Sequence, residues 1–126
     1  MSPHHFPVRV YYEDTDFSGV VYHASYLRFM ERGRTEMLRA AGIEQANLDF
    51  GFAVRAMQID YLKPARMDDE LTIETTTSAI GGATLDLDQR VLRGEEVLVT
   101  ATVRIACITQ GRPARMSKEI RAKLEG

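Results

Sequence analysis

The sequence predicts an α+β fold in which one long helix lies across a five-stranded antiparallel sheet. Three observations carry that prediction. Residues 23 to 41 hold the one long stretch of helical periodicity. Alternation at period two occurs once before it, over Phe6–Tyr12, and in four stretches after it, between residues 51 and 109. Short turn signals, with no second crossover helix, separate the later stretches. A run of strands with one segregated helix makes an α+β fold rather than a parallel, doubly wound one.

Residues 1 to 6 read as a loose lead-in. His4 and His5 are neighbours, so in an extended chain they point to opposite sides and do not share a ligand. Phe6, Val8, Val10 and Tyr12 share one face of the first predicted strand. Glu13 to Gly19 is polar and carries turn residues.

From His23 or Ser25 to Ala41, the residues Leu27, Met30, Arg34, Met37, Leu38 and Ala41 recur at helical steps, flanked by Tyr26, Phe29 and Gly33. Ser25 is the expected N-cap, and Gly42 the left-handed terminator. A mid-helix glycine costs about 1 kcal/mol relative to alanine. Gly33 therefore predicts close approach of another backbone, with the helix tight against the sheet. At about 1.5 Å per residue the helix is roughly 25 Å long, matching a five-stranded sheet at ~4.8 Å per strand.

Ile43 to Phe50 reads as a loop, and Phe52–Tyr61 as a strand closed by Lys63-Pro64. Leu71–Ala79 and Thr84–Leu92 form a hairpin about Gly81-Gly82. Arg93-Gly94-Glu95-Glu96 turns into Val97–Thr109, which is apolar on both faces. Such a strand is central, or its second face meets another subunit. Gln110–Met116 is a basic loop, and Ser117–Leu124 a short helix with Ile120 and Leu124 on one side.

At 126 residues the chain suits one domain, spanning 1–126. Its 44% apolar and 27% charged residues are ordinary for a globular protein. A net charge of −2 with mixed signs argues against nucleic acid as partner. The single cysteine, Cys107, rules out an internal disulfide and fits a reducing compartment. No apolar run approaches the ~18 residues of a membrane span. The N-terminus lacks the pattern of a secretory signal, so a cytoplasmic, soluble protein is expected.

Chemistry concentrates in Tyr11–Tyr26, YYEDTDFSGVVYHASY. Asp14 and Asp16 stand two apart, Gly19 permits a turn, and His23 lies at the helix start. The first turn of a helix offers unpaired N–H groups and the positive end of its dipole, suited to an anion or a polarised carbonyl oxygen. A carboxylate facing it can attack the carbonyl or take a proton from water. The spacing therefore suits acyl transfer. Residue type alone leaves other readings open. Asp14 and Asp16 can be loop formers bonding their own backbone, His23 a capping or packing residue, and the aromatics core. Asp14, Asp16 and His23 form only a weak metal pattern. A G-x-S-x-G nucleophile elbow and a Walker phosphate loop are absent. Asp14-Thr15-Asp16 lacks the glycine of an aspartic protease.

The run Asp14-Thr-Asp16-x-x-Gly19-Val-Val-Tyr22-His23-x-x-Tyr26-Leu, followed by Glu31-x-x-Arg34-x-Glu36-x-Leu38, resembles the 4-hydroxybenzoyl-CoA thioesterase-like branch of the hotdog superfamily. Within it, the similarity is greatest to the Tol–Pal-associated (YbgC-type) acyl-CoA thioesterases. Tyr61-Leu-Lys63-Pro64-Ala65-Arg66, Asp69-Glu70-Leu71 and the strand from Glu95 to Thr109 extend it over nearly the whole chain. The resemblance implies a hotdog fold, a long helix wrapped by the sheet, assembled as a homodimer or homotetramer with the active site at the dimer interface. It implies Asp16 as nucleophile or general base, the backbone N–H of His23 polarising the thioester carbonyl, and the His23 side chain positioning substrate or water. Gly19 would allow the turn, with Tyr22 and Tyr26 beside the substrate. Two positions depart from the family pattern: Gly81-Gly82 stands where relatives often carry Lys or Arg, and Ser117 where they often carry Pro. Contacts to CoA phosphates are then expected from Lys63, Arg90, Arg112 or Arg115.

The expected function is hydrolysis of acyl-CoA to acid and thiol without metal or redox cofactor, with acyl carrier protein an alternative thiol carrier. A non-catalytic acyl- or partner-binding hotdog module and a hydratase are the rival readings.

Overall fold

A computed structural model describes residues 2–126. The strands are β1 (His4–Arg9), β2 (Gly51–Tyr61), β3 (Glu70–Ile80), β4 (Thr84–Arg93), β5 (Glu96–Thr109) and β6 (Arg112–Pro113); the helices are α1 (His23–Ala40) and α2 (Lys118–Glu125). The sheet runs β1-β3-β4-β5-β2, with the two-residue β6 paired to β5. All pairings are antiparallel. β5 is an interior strand, between β4 and β2, which meets the first of the two readings of its apolar faces.

The inner face follows from alternation. Leu71, Ile73, Thr75 and Thr77 of β3 are buried, as are Leu85, Leu87, Gln89 and Val91 of β4. Register sets Ile73 opposite Val91 and Thr75 opposite Gln89, and Leu85 opposite Ile105 and Leu87 opposite Val103. α1 lies on this face. A Cβ on Gly33 would sit 2.6 Å from Cγ2 of Ile73, so the helix is tight against the sheet as expected, though it is the side chains of Ile73 and Gln89, not another backbone, that come close. Gly42 ends the helix region at φ +84°. The buried arc differs from the stripe read in sequence. Tyr26, Phe29, Met30, Gly33, Arg34 and Leu38 are buried, whereas Leu27 is 42% exposed. Two apolar arcs adjoin on this helix. The contact at Gly33, which periodicity does not reveal, decides which one faces β3.

The N-terminal expectations need correction. Residues 4 to 6 are strand rather than lead-in: His4 pairs with Thr75 and His5 with Glu74. The free edge of β3 supplies the backbone partners that a tail would lack. β1 ends at Arg9, and Tyr12 is not on its inner face but 81% exposed. The cause is local: Asp14 Oδ2 accepts from the Tyr11 N–H at 2.9 Å, and the Asp14 N–H donates to the Tyr11 carbonyl at 3.0 Å. These bonds close a 3-10 turn over Tyr12–Asp14. A second such turn, Gln45–Asn47, lies within the loop after α1.

The C-terminal helix forms as expected. Ser117 Oγ caps it by accepting from the Ile120 N–H at 3.2 Å, and Ile120 and Leu124 are buried. Among the described residues no helix is long and apolar enough to cross a membrane.

The two sheet edges differ. β1 has six residues and contains Pro7, which has no N–H to offer and blunts an edge. β2 has 11 residues and no proline. It is bent by a register shift between Val54 and Ala56.

Candidate active site

The loop before α1 is held by backbone and side-chain hydrogen bonds together. The Asp16 N–H donates to the Val20 carbonyl at 2.9 Å, and the Gly19 N–H to the Asp16 carbonyl at 3.1 Å. Gly19 lies at φ +86°, a conformation costly for a side chain with a Cβ. The Val21 N–H donates to the Ala65 carbonyl at 2.9 Å, fastening the loop to the segment after β2. The Tyr22 N–H reaches back to the Asp14 carbonyl at 3.0 Å, and Ser25 Oγ donates to the same oxygen at 3.0 Å.

Ser25 therefore ties the helix to the loop instead of capping it. The N-cap position is Tyr22, extended at φ −70° and ψ 144°, with no side-chain cap. His23 is the first helical residue, so its N–H lacks an intrahelical acceptor.

The two aspartates separate into different roles. Asp14 is buried and its carboxylate serves the Tyr11 turn, the loop-forming role. Asp16 is partly exposed, and its Oδ1 accepts from both the N–H and the hydroxyl of Ser18. The Ser18 hydroxyl is the main cause holding the Asp16 carboxyl below the ordinary aspartate range. Partial desolvation works against this, while the Ser18 and Val20 backbone and the nearby His23 assist. Asp16 is thus ionised at neutral pH.

Asp16 and His23 border one small cleft of about 230 Å³, together with Val20, Val21, Tyr26, Tyr61, Leu62, Lys63 and Pro64. Tyr26 is 3% exposed; its oxygen accepts from the Ala65 N–H at 2.9 Å, and burial raises its phenol so that it stays protonated. Tyr61 lies edge-on to His23 with ring centres 4.7 Å apart, and 5.6 Å from Tyr26. Tyr22 is exposed and does not line the cleft, its ring 6.1 Å from that of His23.

Of the basic residues expected to meet phosphates, Lys63 lines this cleft, with Nζ 2.9 Å from Glu96. The others stand elsewhere on the chain. Arg90 donates two hydrogen bonds to Glu74 from the exposed face of the sheet. Arg112 is exposed in β6. Arg115 approaches Gly82 and borders a different hollow with Arg39 and Lys123.

Sequence reasoning missed Ser18 and Tyr61 as site members. Ser18 had a local signal, a hydroxyl two residues after a loop aspartate, where such side chains bond. Tyr61 had none linking it to His23, 38 residues earlier.

An ionised carboxylate and a helix N-terminus flanking one narrow cleft can polarise a carbonyl oxygen and deliver a nucleophile to its carbon. Comparison with known proteins agrees with that chemistry. Residues 10–124 match the model of the Thioesterase-like superfamily. Acyl-CoA thioesterase YbgC of Haemophilus influenzae is 47% identical over 123 residues, covering 93% of this chain and 90% of that protein. Acyl-CoA thioester hydrolase YbgC of Escherichia coli O6:H1 is 44% identical over 125 residues, covering 94% and 93%. The crystal structure of a probable thioesterase from Bartonella henselae superposes with a TM-score of 0.89 at 47% identity, covering 92% of this chain and all of that one. This chain belongs to the thioesterase-like superfamily and has its hotdog fold.

Proposed function

We propose that this chain, acting over 1–126 as one domain, hydrolyses acyl-CoA thioesters to the free acid and CoA thiol. The observation that carries the reading is the ionised Asp16 bordering the same cleft as the His23 helix terminus. The thioester carbonyl oxygen rests on the His23 N–H. Asp16 either takes a proton from the attacking water or attacks the carbonyl carbon itself, forming an anhydride that water then opens. In both routes the tetrahedral oxyanion meets the same N–H. The C–S bond breaks, and the thiolate leaves and takes up a proton. The His23 ring, steadied by Tyr61, positions substrate or water. Gly19 keeps the loop tight, and Tyr26 borders the thioester.

The homologous thioesterases named above support CoA as the carrier, and acyl carrier protein fits the same chemistry. Lys63, nearest the cleft, is the first candidate for a CoA phosphate, with Arg90, Arg112 and Arg115 further candidates in an assembly. The functional unit in this reading is a homodimer or homotetramer. The unpaired edge of β2 supports it. It runs over 11 residues without proline, a long edge of free N–H and C=O groups that antiparallel pairing with a second copy would satisfy. A cytoplasmic setting suits a chain whose one cysteine, Cys107, is buried.

The test is release of free thiol from acyl-CoAs of increasing chain length by the wild type and by Asp16→Asn. The expected result is turnover by the wild type, with kcat about 10³-fold lower in a folded Asp16→Asn protein, within the range for losing a positioned base. Near-normal turnover by Asp16→Asn would remove Asp16 from its role. Tight binding of one acyl-CoA without hydrolysis of any would make the chain a binding module, and hydration of crotonyl-CoA would make it a hydratase.

A further inference from the structure

A second cleft, of about 490 Å³, opens farther along α1, where Arg34 meets apolar Phe52, Val54, Leu85 and Ile105 on one side and Glu31, Thr35 and Gln45 on the other. Arg34 is only 8% exposed. Its one hydrogen bond among the described residues runs from Nη1 to Oε1 of Gln89, a neutral acceptor, at 3.0 Å. Gln89 is fixed in that orientation, because its Nε2 donates to the Met30 carbonyl at 3.0 Å and to Thr75 Oγ1 at 2.9 Å. Burial lowers the Arg34 pKa, and only the charge of the exposed Glu31 opposes it, without an ion pair. A guanidinium has five N–H donors and keeps its charge in a protein. A buried one with a single neutral partner, beside an open cleft with one apolar wall, has donors left over for a carboxylate, which accepts two of them side by side; Glu31 borders the same cleft without pairing with Arg34.

The position of this cleft connects it to the thioesterase chemistry. Within one chain Arg34 lies 11 residues beyond His23, roughly 16 Å at 1.5 Å per residue. The Arg34 cleft touches the start of β2 at Phe52–Val54, and the Asp16 cleft touches its end at Tyr61–Lys63. Antiparallel pairing of β2 with a second copy lays the start of one strand beside the end of the other. In the homodimer proposed above, the Arg34 cleft of one copy would then adjoin the Asp16 cleft of its partner.

We propose that Arg34 is a specificity-determining residue that receives the terminal carboxylate of the acyl group, so that the preferred substrates are CoA monothioesters of dicarboxylic acids. This rests on the thioesterase reading and on the homodimer proposed with it. The apolar wall holds the methylene chain, the guanidinium binds the distal carboxylate, and the thioester lies at the other subunit's Asp16.

The experiment compares kcat/KM for pairs of equal chain length, from four to eight carbons: succinyl-CoA with butyryl-CoA, adipoyl-CoA with hexanoyl-CoA, suberoyl-CoA with octanoyl-CoA. The wild type is expected to favour the carboxylated member of at least one pair tenfold or more, chiefly through KM. Arg34→Met should bring that ratio to one or below, and Arg34→Lys should leave it between the two. A wild-type ratio near one in every pair overturns the proposal, as does a ratio unchanged by both substitutions. The wild-type comparison decides the matter even if Arg34→Met does not fold. Failure to hydrolyse any thioester would instead count against the thioesterase reading. In that event calorimetric titration of Asp16→Asn with adipoyl-CoA and hexanoyl-CoA judges the Arg34 site alone, equal affinities overturning it.

Discussion

Two charged side chains near α1, one in the loop before it and one along it, stand in opposite surroundings. In the loop before the helix, Asp16 is an anion at a partly open cleft, held mainly by Ser18, two residues on. Eleven residues past His23, Arg34 is a cation under the helix. It is held by Gln89, which is bonded in turn to Met30 and Thr75 on two other elements. The first arrangement is local and leaves the carboxylate able to react. The second is long-range and fixes a side chain in place. The start of the helix is arranged for bond making, and its stretch at Arg34 for packing and recognition.

The comparison would break most visibly at His23. If the chemical role belongs to the backbone, removing the N–H should hurt more than removing the imidazole. Proline suits the first position of a helix, and Tyr22 at ψ 144° already has the extended conformation favoured before proline. His23→Pro is therefore expected to keep the fold, checked by circular dichroism, while lowering kcat about 10²- to 10³-fold, the cost of one oxyanion donor. His23→Ala should cost about tenfold or less. Equal losses in the two variants would assign the role to the ring.

A smaller effect is expected in the packed region. A methyl group at residue 33 collides with Ile73 Cγ2. Overpacking of a core costs about 1–3 kcal/mol, against which helix propensity returns up to about 1 kcal/mol. Gly33→Ala should thus lose stability in urea denaturation. A neutral or stabilising result would mean that α1 is not pressed against β3.

The smallest effect sharpens the picture of the reactive end. The Ser18 hydroxyl favours the charged form of Asp16 and so lowers its pKa. Ser18→Ala removes that effect and raises the pKa. Because the carboxylate is the active form, the acid limb of kcat/KM should move to higher pH, with little change near neutrality. An unmoved limb would mean that another group controls it.

Legibility in the sequence followed the range of each interaction. The alternation of β3, β4 and β5, the glycine-marked turns, Gly42 and the Ser117 region were readable, because period two and turn chemistry act over a few residues. The extent of β1 was not. His4 and His5 are strand only because β3 offers its free edge, some 70 residues away. The Asp16 loop was readable as a motif. Its separation from Asp14 was not, since only the folded turn shows which carboxylate is used on Tyr11.

The sequence by itself determined the element order, one helix among antiparallel strands, and the short spacing that puts a carboxylate, a glycine turn and a helix start together. These depend on neighbours along the chain. Tertiary structure decided which arc of α1 faces β3, that Tyr61 lies on His23, and that Arg34 is buried against Gln89, 55 residues away. Each of those is a contact between segments far apart in the chain, and no local pattern of residue types encodes which distant side chain will fill the space.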